Sequence, residues 1–330
     1  MRVYHTKSAR EVLLEGLTGQ DNNTKPSQDD QMRAGSSTAG LMRLATYASV
    51  TVASVLVVAK LGAWLSTESV SLLASLADSL LDVGASIVNL FAVRHALQPA
   101  DREHRFGHGK AEALAGLAQA AFIAGSGVFL ILEAIERLIN PREVVNCEIG
   151  IVVMVLALVL TGGLVLFQSF VVKKTGSIAV EADSLHYRVD ILVNIAVVVS
   201  LFVASSGGLP YADPFFAIAI VLYMGVGSWR IAATSIDDLM DREFPDEDRV
   251  KIREIALQHP RVRDVHDMRT RSSGPYSFIQ IHMEMDKMLT LNEAHEISDD
   301  VMYNVEREFP NAEVLIHLDP EGIEERRDEL

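Results

Sequence analysis

Two stretches of this 330-residue sequence place acids among apolar residues at helical spacing. The first reads Ser-Leu-Leu-Ala-Ser-Leu-Ala-Asp78-Ser-Leu-Leu-Asp82-Val-Gly-Ala-Ser-Ile-Val-Asn89. The second reads Glu-Ala-Asp183-Ser-Leu-His186-Tyr-Arg-Val-Asp190-Ile-Leu-Val-Asn194. A spacing of four brings two side chains onto one helical face, so Asp78 pairs with Asp82 and His186 with Asp190. Ser75, Ser86 and Asn89 extend the first stripe, and Asp183 and Asn194 extend the second. Three carboxylates and one imidazole match the donors of a tetrahedral divalent-cation shell of the zinc type. The same groups can form a proton relay. The two uses are compatible, because ligands shed protons to bind a metal and regain them to release it. A buried polar network that only sets helix packing is the third reading of these residues.

Further histidines gather in two other places. Asp101-Arg-Glu-His104-Arg-Phe-Gly-His108-Gly-Lys110 offers Asp101, His104 and His108 as a second, solvent-near metal site, with a solvated loop as the alternative. The zinc-protease pattern His-Glu-x-x-His fails there because Arg105 stands where the Glu is needed. A phosphate loop fails because His104 replaces the required Gly. In the last third, His266, His282, His295 and His317 accompany Asp319. Ile279, Ile281, Met283 and Met285 alternate with Gln280, His282 and Glu284, which predicts a strand with one apolar face. His282, His317 and Asp319 then lie opposite the most apolar faces, where imidazole and carboxylate on adjacent strands can bind zinc. His295 can join from a helix, and surface histidines without a ligand role are the alternative. His5, His95 and His259 are given no role.

The elements that position these groups follow from hydropathy. A bilayer-spanning helix needs about 20 mainly apolar residues. Six candidates fit, at about 42–65, 69–96, 111–139, 148–172, 178–205 and 212–235. The two acid-bearing stretches are the second and fifth. An ionised carboxylate at mid-membrane costs about 2.5–3.5 kcal/mol on insertion scales, so several together need a cation or water. Lys60 and Arg188 also fall within or near spans and are expected to snorkel. Lysine and arginine placement puts both termini on the cytoplasmic side, with Arg94, Arg102, Arg105, Lys110, Lys173, Lys174 and Arg230 inside. Residues 244–319 read as a small α/β domain of helix, two strands, helix and strand.

Charge separates the same regions. Residues 1–40 are neutral and residues 41–235 carry a net −2, whereas residues 236–330 carry −13 of the chain's −15. Nothing is basic enough to suggest nucleic acid as a partner. The single cysteine, Cys147, permits no intrachain disulfide. The N-terminus lacks the apolar core of a signal peptide, and polar residues 1–38 are expected to be mostly disordered. No Gly-x-Ser-x-Gly element is present, and no enzyme is expected. The boundaries are therefore an extension over 1–40, a six-helix transmembrane domain over 41–236, a cytoplasmic metal-binding α/β domain over 237–320 and an acidic tail over 321–330.

The stretches LADSLLDVGAS, QPADREHRFGHGKAEALA, EADSLHYRVD and DDLMDREFPDE, with IQIHMEM and LIHLDP, resemble the cation diffusion facilitator transporters. The resemblance runs from about residue 42 to 320 and lies closest to the bacterial zinc and ferrous-iron efflux branch. It implies a homodimer in the cell inner membrane, with six spans and a cytoplasmic metallochaperone-like domain per protomer. Divalent cation would leave the cytoplasm in exchange for protons by alternating access. Zn²⁺ would be the leading ion, with Fe²⁺, Cd²⁺ and Co²⁺ also open, as cargo and regulator rather than cofactor. Asp78, Asp82, His186 and Asp190 would form the transport site, and Asp101, His104 and His108 the loop site. His266, His282, His317 and Asp319 would form a cytoplasmic dinuclear site, with His295 as an extra or bridging ligand. Lys110 and Asp241 would form a charge interlock that holds the dimer. Leu318 departs from the family pattern, where a polar residue is expected. The competing class is a membrane metal sensor without flux.

Overall fold

The computed structural model describes residues 28–67, 70–139, 148–205 and 212–322. Residues 1–27, 68–69, 140–147, 206–211 and the tail beyond 322 lie outside the described residues. Six long helices come first: α1 (Gln28–Thr67), α2 (Val70–Ala96), α3 (Lys110–Ile139), α4 (Glu148–Thr175), α5 (Ile178–Ser205) and α6 (Ala212–Leu239). Five spans among the described residues are long and apolar enough to cross a membrane: Thr38–Ser66, Ser75–Ala96, Lys110–Leu132, Val152–Thr175 and Phe216–Leu239. Helix α5 has the same 28-residue length as α4 and α6 but carries Glu181, Asp183, Arg188 and Asp190 in its first half.

One expectation is corrected here. Helix α1 begins at Gln28, so residues 28–38 are helical rather than disordered. No proline interrupts residues 28–67, and extending an existing helix avoids the cost of a new nucleus. Hydropathy marks where lipid begins, not where a helix does.

Helix α5 touches each of the other five membrane helices. Its neighbours bury most of its first half, which is why charge is tolerated there, while Leu192, Ile195 and Val199 in the second half are exposed. Around this centre, α1 packs along α2, α3 along α6, and α4 against both α1 and α5. Small residues permit the close approach. A Cβ on Gly227 would lie 2.7 Å from Leu185 Cδ2, and one on Gly116 would lie 2.6 Å from Ile178 Cγ2. On the outside of the bundle, Val58, Phe91, Leu166, Val226 and Trp229 are exposed, as a hydrocarbon solvent requires.

The C-terminal unit follows as α7 (Asp246–Leu257), β1 (Val262–Ser273), β2 (Tyr276–Met285), α8 (Leu291–Glu308) and β3 (Ala312–Pro320). The sheet order is β1-β2-β3, antiparallel between β1 and β2 and parallel between β2 and β3. Parallel strands need a crossover, and α8 supplies it. A capping box at its start, Thr290 with Glu293, satisfies two otherwise orphaned amides. Ile279, Ile281, Met283 and Met285 are all buried, as the alternation predicts. They form one core with Ile252, Ala256, Ile297, Val301 and Val305 from the two helices. The histidine-bearing face is the other one.

The two units meet at the loop before α3. The Arg271 guanidinium lies 4.4 Å from the Phe106 ring centroid and 4.9 Å from that of Phe278. A Cβ on Gly109 would fall 2.0 Å from the Ser273 carbonyl oxygen, on backbone that cannot turn aside. Gly109→Ala is therefore expected to destabilise the purified protein by about 1–3 kcal/mol, measured by thermal unfolding in detergent. Gly40→Ala, at a helical glycine with no atom within 4 Å of the added Cβ, is the control and should not destabilise.

Candidate metal centres

The intramembrane group is built from α2 and α5. His186 Nε2 lies 3.0 Å from Asp82 Oδ1 and 3.7 Å from Asp190 Oδ2. One ligand atom from each of the three residues falls within 4.8 Å of the others. The imidazole is buried, with the rings of Phe122 and Tyr187 edge-on to it at 5.7 and 5.4 Å. Two carboxylate oxygens and one ring nitrogen thus converge on a small volume with apolar walls. Those atoms can share a proton or enclose a dication, but not both. Asp78 is exposed and stands outside the group, so the structure brings together three of the four expected ligands.

The stripe on α2 continues on both sides of Asp82. Ser86 lies 2.8 Å from the Tyr187 hydroxyl and 3.0 Å from Ser49 Oγ, a buried junction of α1, α2 and α5. The Asn89 amide donates to the Ala179 carbonyl at 3.3 Å. In the other direction, Lys60 Nζ donates to the Ser75 carbonyl at 3.1 Å and to Ser79 Oγ at 2.6 Å. Lys60 therefore turns inward to α2 and does not snorkel. Arg188 likewise donates to Ser169 Oγ at 2.9 Å. Asp183 is not among the converging ligands and accepts a 2.6 Å bond from Gln168 Nε2 on α4.

The loop group is assembled in the turn after α2. Asp101 Oδ1 accepts from the backbone amides of His104 and Glu103 at 2.6 and 2.9 Å. The His104 amide, above all, holds the Asp101 carboxyl below its ordinary pKa, against desolvation and with help from the Glu103 amide and the two histidines. His104 Nδ1 and His108 Nε2 lie 3.4 and 3.3 Å from this carboxylate. All three expected ligands are together. His95, given no role from the sequence, lies with its ring tilted 4.6 Å from the His108 ring.

The cytoplasmic-type group uses strand register. His266 pairs with His282 across β1 and β2, and His282 with His317 across β2 and β3. Directly opposed side chains stand about 4.5–5.5 Å apart, so three imidazoles form a row on the face opposite the core. Asp319, only 5% exposed, sits beneath them. Its carboxylate is 2.9 Å from His282 Nδ1, 3.1 Å from His317 Nε2 and 3.4 Å from His266 Nε2. Both His266 ring nitrogens and Asp319 Oδ1 are buried without a hydrogen-bond partner, despite these short distances.

His295 does not join. Its side chain is 71% exposed on α8, 3.6 Å from Asp299 one turn on. A single chain does not bring it to the row, because α8 covers the other face of the sheet. Asp264, Asp267 and Glu284 were not anticipated, yet their carboxylates lie within reach of His266 or His282. Two of them were available from the alternation, since Glu284 shares a face with His282 and Asp264 with His266. Asp267 is brought in by a bulge between His266 and Arg269, at φ +43°.

Lys110 and Asp241 do meet. Lys110 Nζ donates to Asp241 Oδ1 at 2.9 Å and to the Leu239 carbonyl at 3.2 Å, while Arg271 reaches the same Asp241 oxygen at 3.3 Å. Burial raises the Asp241 pKa, but Lys110 and then Arg271 outweigh it and hold the carboxyl below its ordinary 3.8. The sign is that of a stabilised anion. Its contribution is complete above that ordinary value and fades only as the pH falls through the lower folded-state value.

Residues 46–240 match the cation efflux transmembrane domain, and residues 244–321 match the cation efflux protein, cytoplasmic domain. The cation-efflux pump FieF of Pectobacterium atrosepticum is 49% identical over 282 residues, spanning 86% of this chain and 94% of that protein. The pump of the same name from Shewanella oneidensis is 48% identical over 283 residues, spanning 86% and 95%. Among solved structures, the metal-bound C-terminal domain of the CzcD transporter from Thermotoga maritima is 26% identical. It covers 24% of this chain and 93% of that one, with a TM-score of 0.23.

Proposed function

The chain belongs to the cation efflux family, the cation diffusion facilitators, and on that footing we propose that it exports Zn²⁺ from the cytoplasm in exchange for protons. Efflux of divalent metal cations is the activity its family and its pump relatives support. Zn²⁺ and the proton coupling are argued from the donor atoms. The carrying observation is His186 Nε2 between Asp82 and Asp190, at 3.0 and 3.7 Å.

Imidazole and carboxylate together suit Zn²⁺, which accepts mixed nitrogen and oxygen ligands in a tetrahedral shell. The nitrogen that would bind the ion is the one that must carry the proton when the ion leaves. Loading therefore expels a proton, and protonation expels the metal. Asp78 completes the shell when α2 and α5 shift relative to each other, and that shift is the step that alternates access between the two sides. A site of this kind must bind firmly enough to load yet weakly enough to empty.

The three histidines and Asp319 face the side from which metal is gathered, with both termini cytoplasmic in the inner membrane. Metal held there draws two copies of the acidic domain together, and the Lys110–Asp241 pair, with Arg271, fixes the junction about which the copies close. His295 serves as a bridging ligand only from the partner copy.

The test is flux. The purified chain, in proteoliposomes holding a Zn²⁺ dye and a pH dye, should move Zn²⁺ and protons in opposite directions. Zn²⁺ binding without Zn²⁺ movement would make the chain a sensor and overturn the reading.

A further inference from the structure

The intramembrane group brings together Asp82, His186 and Asp190, with Asp78 outside it, and a further charged group is built in beside them. Lys60 comes from α1 and crosses to α2, where the Ser75 carbonyl and Ser79 Oγ hold its ammonium at 3.1 and 2.6 Å. Ser79 is buried and three residues before Asp82, about 4.5 Å along the helix axis. The ammonium therefore lies about one turn from the metal group, on the same side of α2.

A lysine in a spanning helix normally directs its head to the interface. This one is tethered inward by two neutral oxygens, and neither requires a full charge as partner. What compensates the ammonium is the carboxylate cluster. The reverse also holds. With Asp78 drawn into the shell, as the transport reading has it, three carboxylates and a neutral imidazole around a dication would carry one net negative charge, which the ammonium one turn away offsets.

We infer that Lys60 is an internal counter-cation that sets how tightly the transport site holds its metal. The inference rests on the transport reading above and deepens it. A fixed positive charge one turn from the site repels a bound dication, so it weakens binding and hastens release. It is a positioning charge, not a ligand.

Zn²⁺ uptake into proteoliposomes by the full chain tests this, comparing wild type with K60M, K60Q, K60R and the ligand variant D82A. K60M removes the charge, and K60Q removes it while keeping a donor for Ser75 and Ser79. Both are expected to lower the half-saturating Zn²⁺ concentration about tenfold or more and to lower the maximal rate. K60R should retain wild-type values. If Lys60 merely ties α1 to α2, K60Q will match wild type, or K60R will fail together with K60M, and either result overturns the inference. A wild-type flux no greater than that of D82A overturns the transport reading itself, and the inference with it. Because K60Q preserves the tether, it decides the matter even if K60M does not fold.

Discussion

Asp82→Ala is expected to reduce Zn²⁺ uptake into inside-out vesicles by more than about 100-fold, a larger loss than removing an outer hydrogen bond to a metal ligand usually brings. The aspartate supplies one of the three converging donor atoms and is the nearer of the two carboxylates to His186 Nε2. Its removal takes away a ligand and also leaves the imidazole without its principal partner. The fold should survive. The Ser49, Ser86 and Tyr187 junction one turn away joins the same helices independently. Vesicle flux with a metal-sensitive dye, beside circular dichroism of the purified variant, checks both halves. Undiminished flux in a well-folded variant would remove Asp82 from the site.

The second large effect belongs to Asp319. Its carboxylate lies within 3.4 Å of three imidazoles drawn from three strands. Asp319→Ala should abolish high-affinity metal binding at the C-terminal unit, so that the full chain binds at least one fewer Zn²⁺ in equilibrium dialysis. Transport should fall far less than in Asp82→Ala, because the intramembrane donors are untouched. The domain should still fold, since its core lies on the opposite face among Ile279, Ile281 and Met283. Unchanged metal stoichiometry would show that the histidine row is not a metal site.

Much of this was legible from periodicity, and the exceptions have physical causes. The range of α5, 178–205, could be read directly because Gly176 and the glycine-rich stretch beyond Ser205 bound an apolar run. The start of α1 could not, because polar residues 28–38 carry no hydropathy signal. Four-residue spacing correctly put His186 with Asp190, yet it overstated the likeness of Asp78 and Asp82. Asp78, one turn before Asp82 on α2, is exposed and lies outside the group, and spacing along one helix does not say which member of a pair the neighbouring helix meets. The direction of Lys60 was illegible, since hydropathy registers a charge but not which neighbour it faces. On β2 the alternation identified both faces, whereas Asp267 depends on a bulge, and a bulge breaks the period that prediction uses.

The position of α5 at the centre of the bundle bears on how the protein is made. A segment carrying Glu181, Asp183, Arg188 and Asp190 is a poor substrate for release into lipid one helix at a time, since each such charge near the bilayer centre costs about 2.5–3.5 kcal/mol on insertion scales. The five helices that touch it in the finished bundle include α6, which emerges from the ribosome after it. Biogenesis therefore calls for α5 to be retained at the insertion machinery, or to enter as a hairpin with α4, until α6 arrives to close the wall. In a chain truncated before α6, a cysteine introduced into α5 should be open to a water-soluble thiol reagent that does not reach it in the full chain.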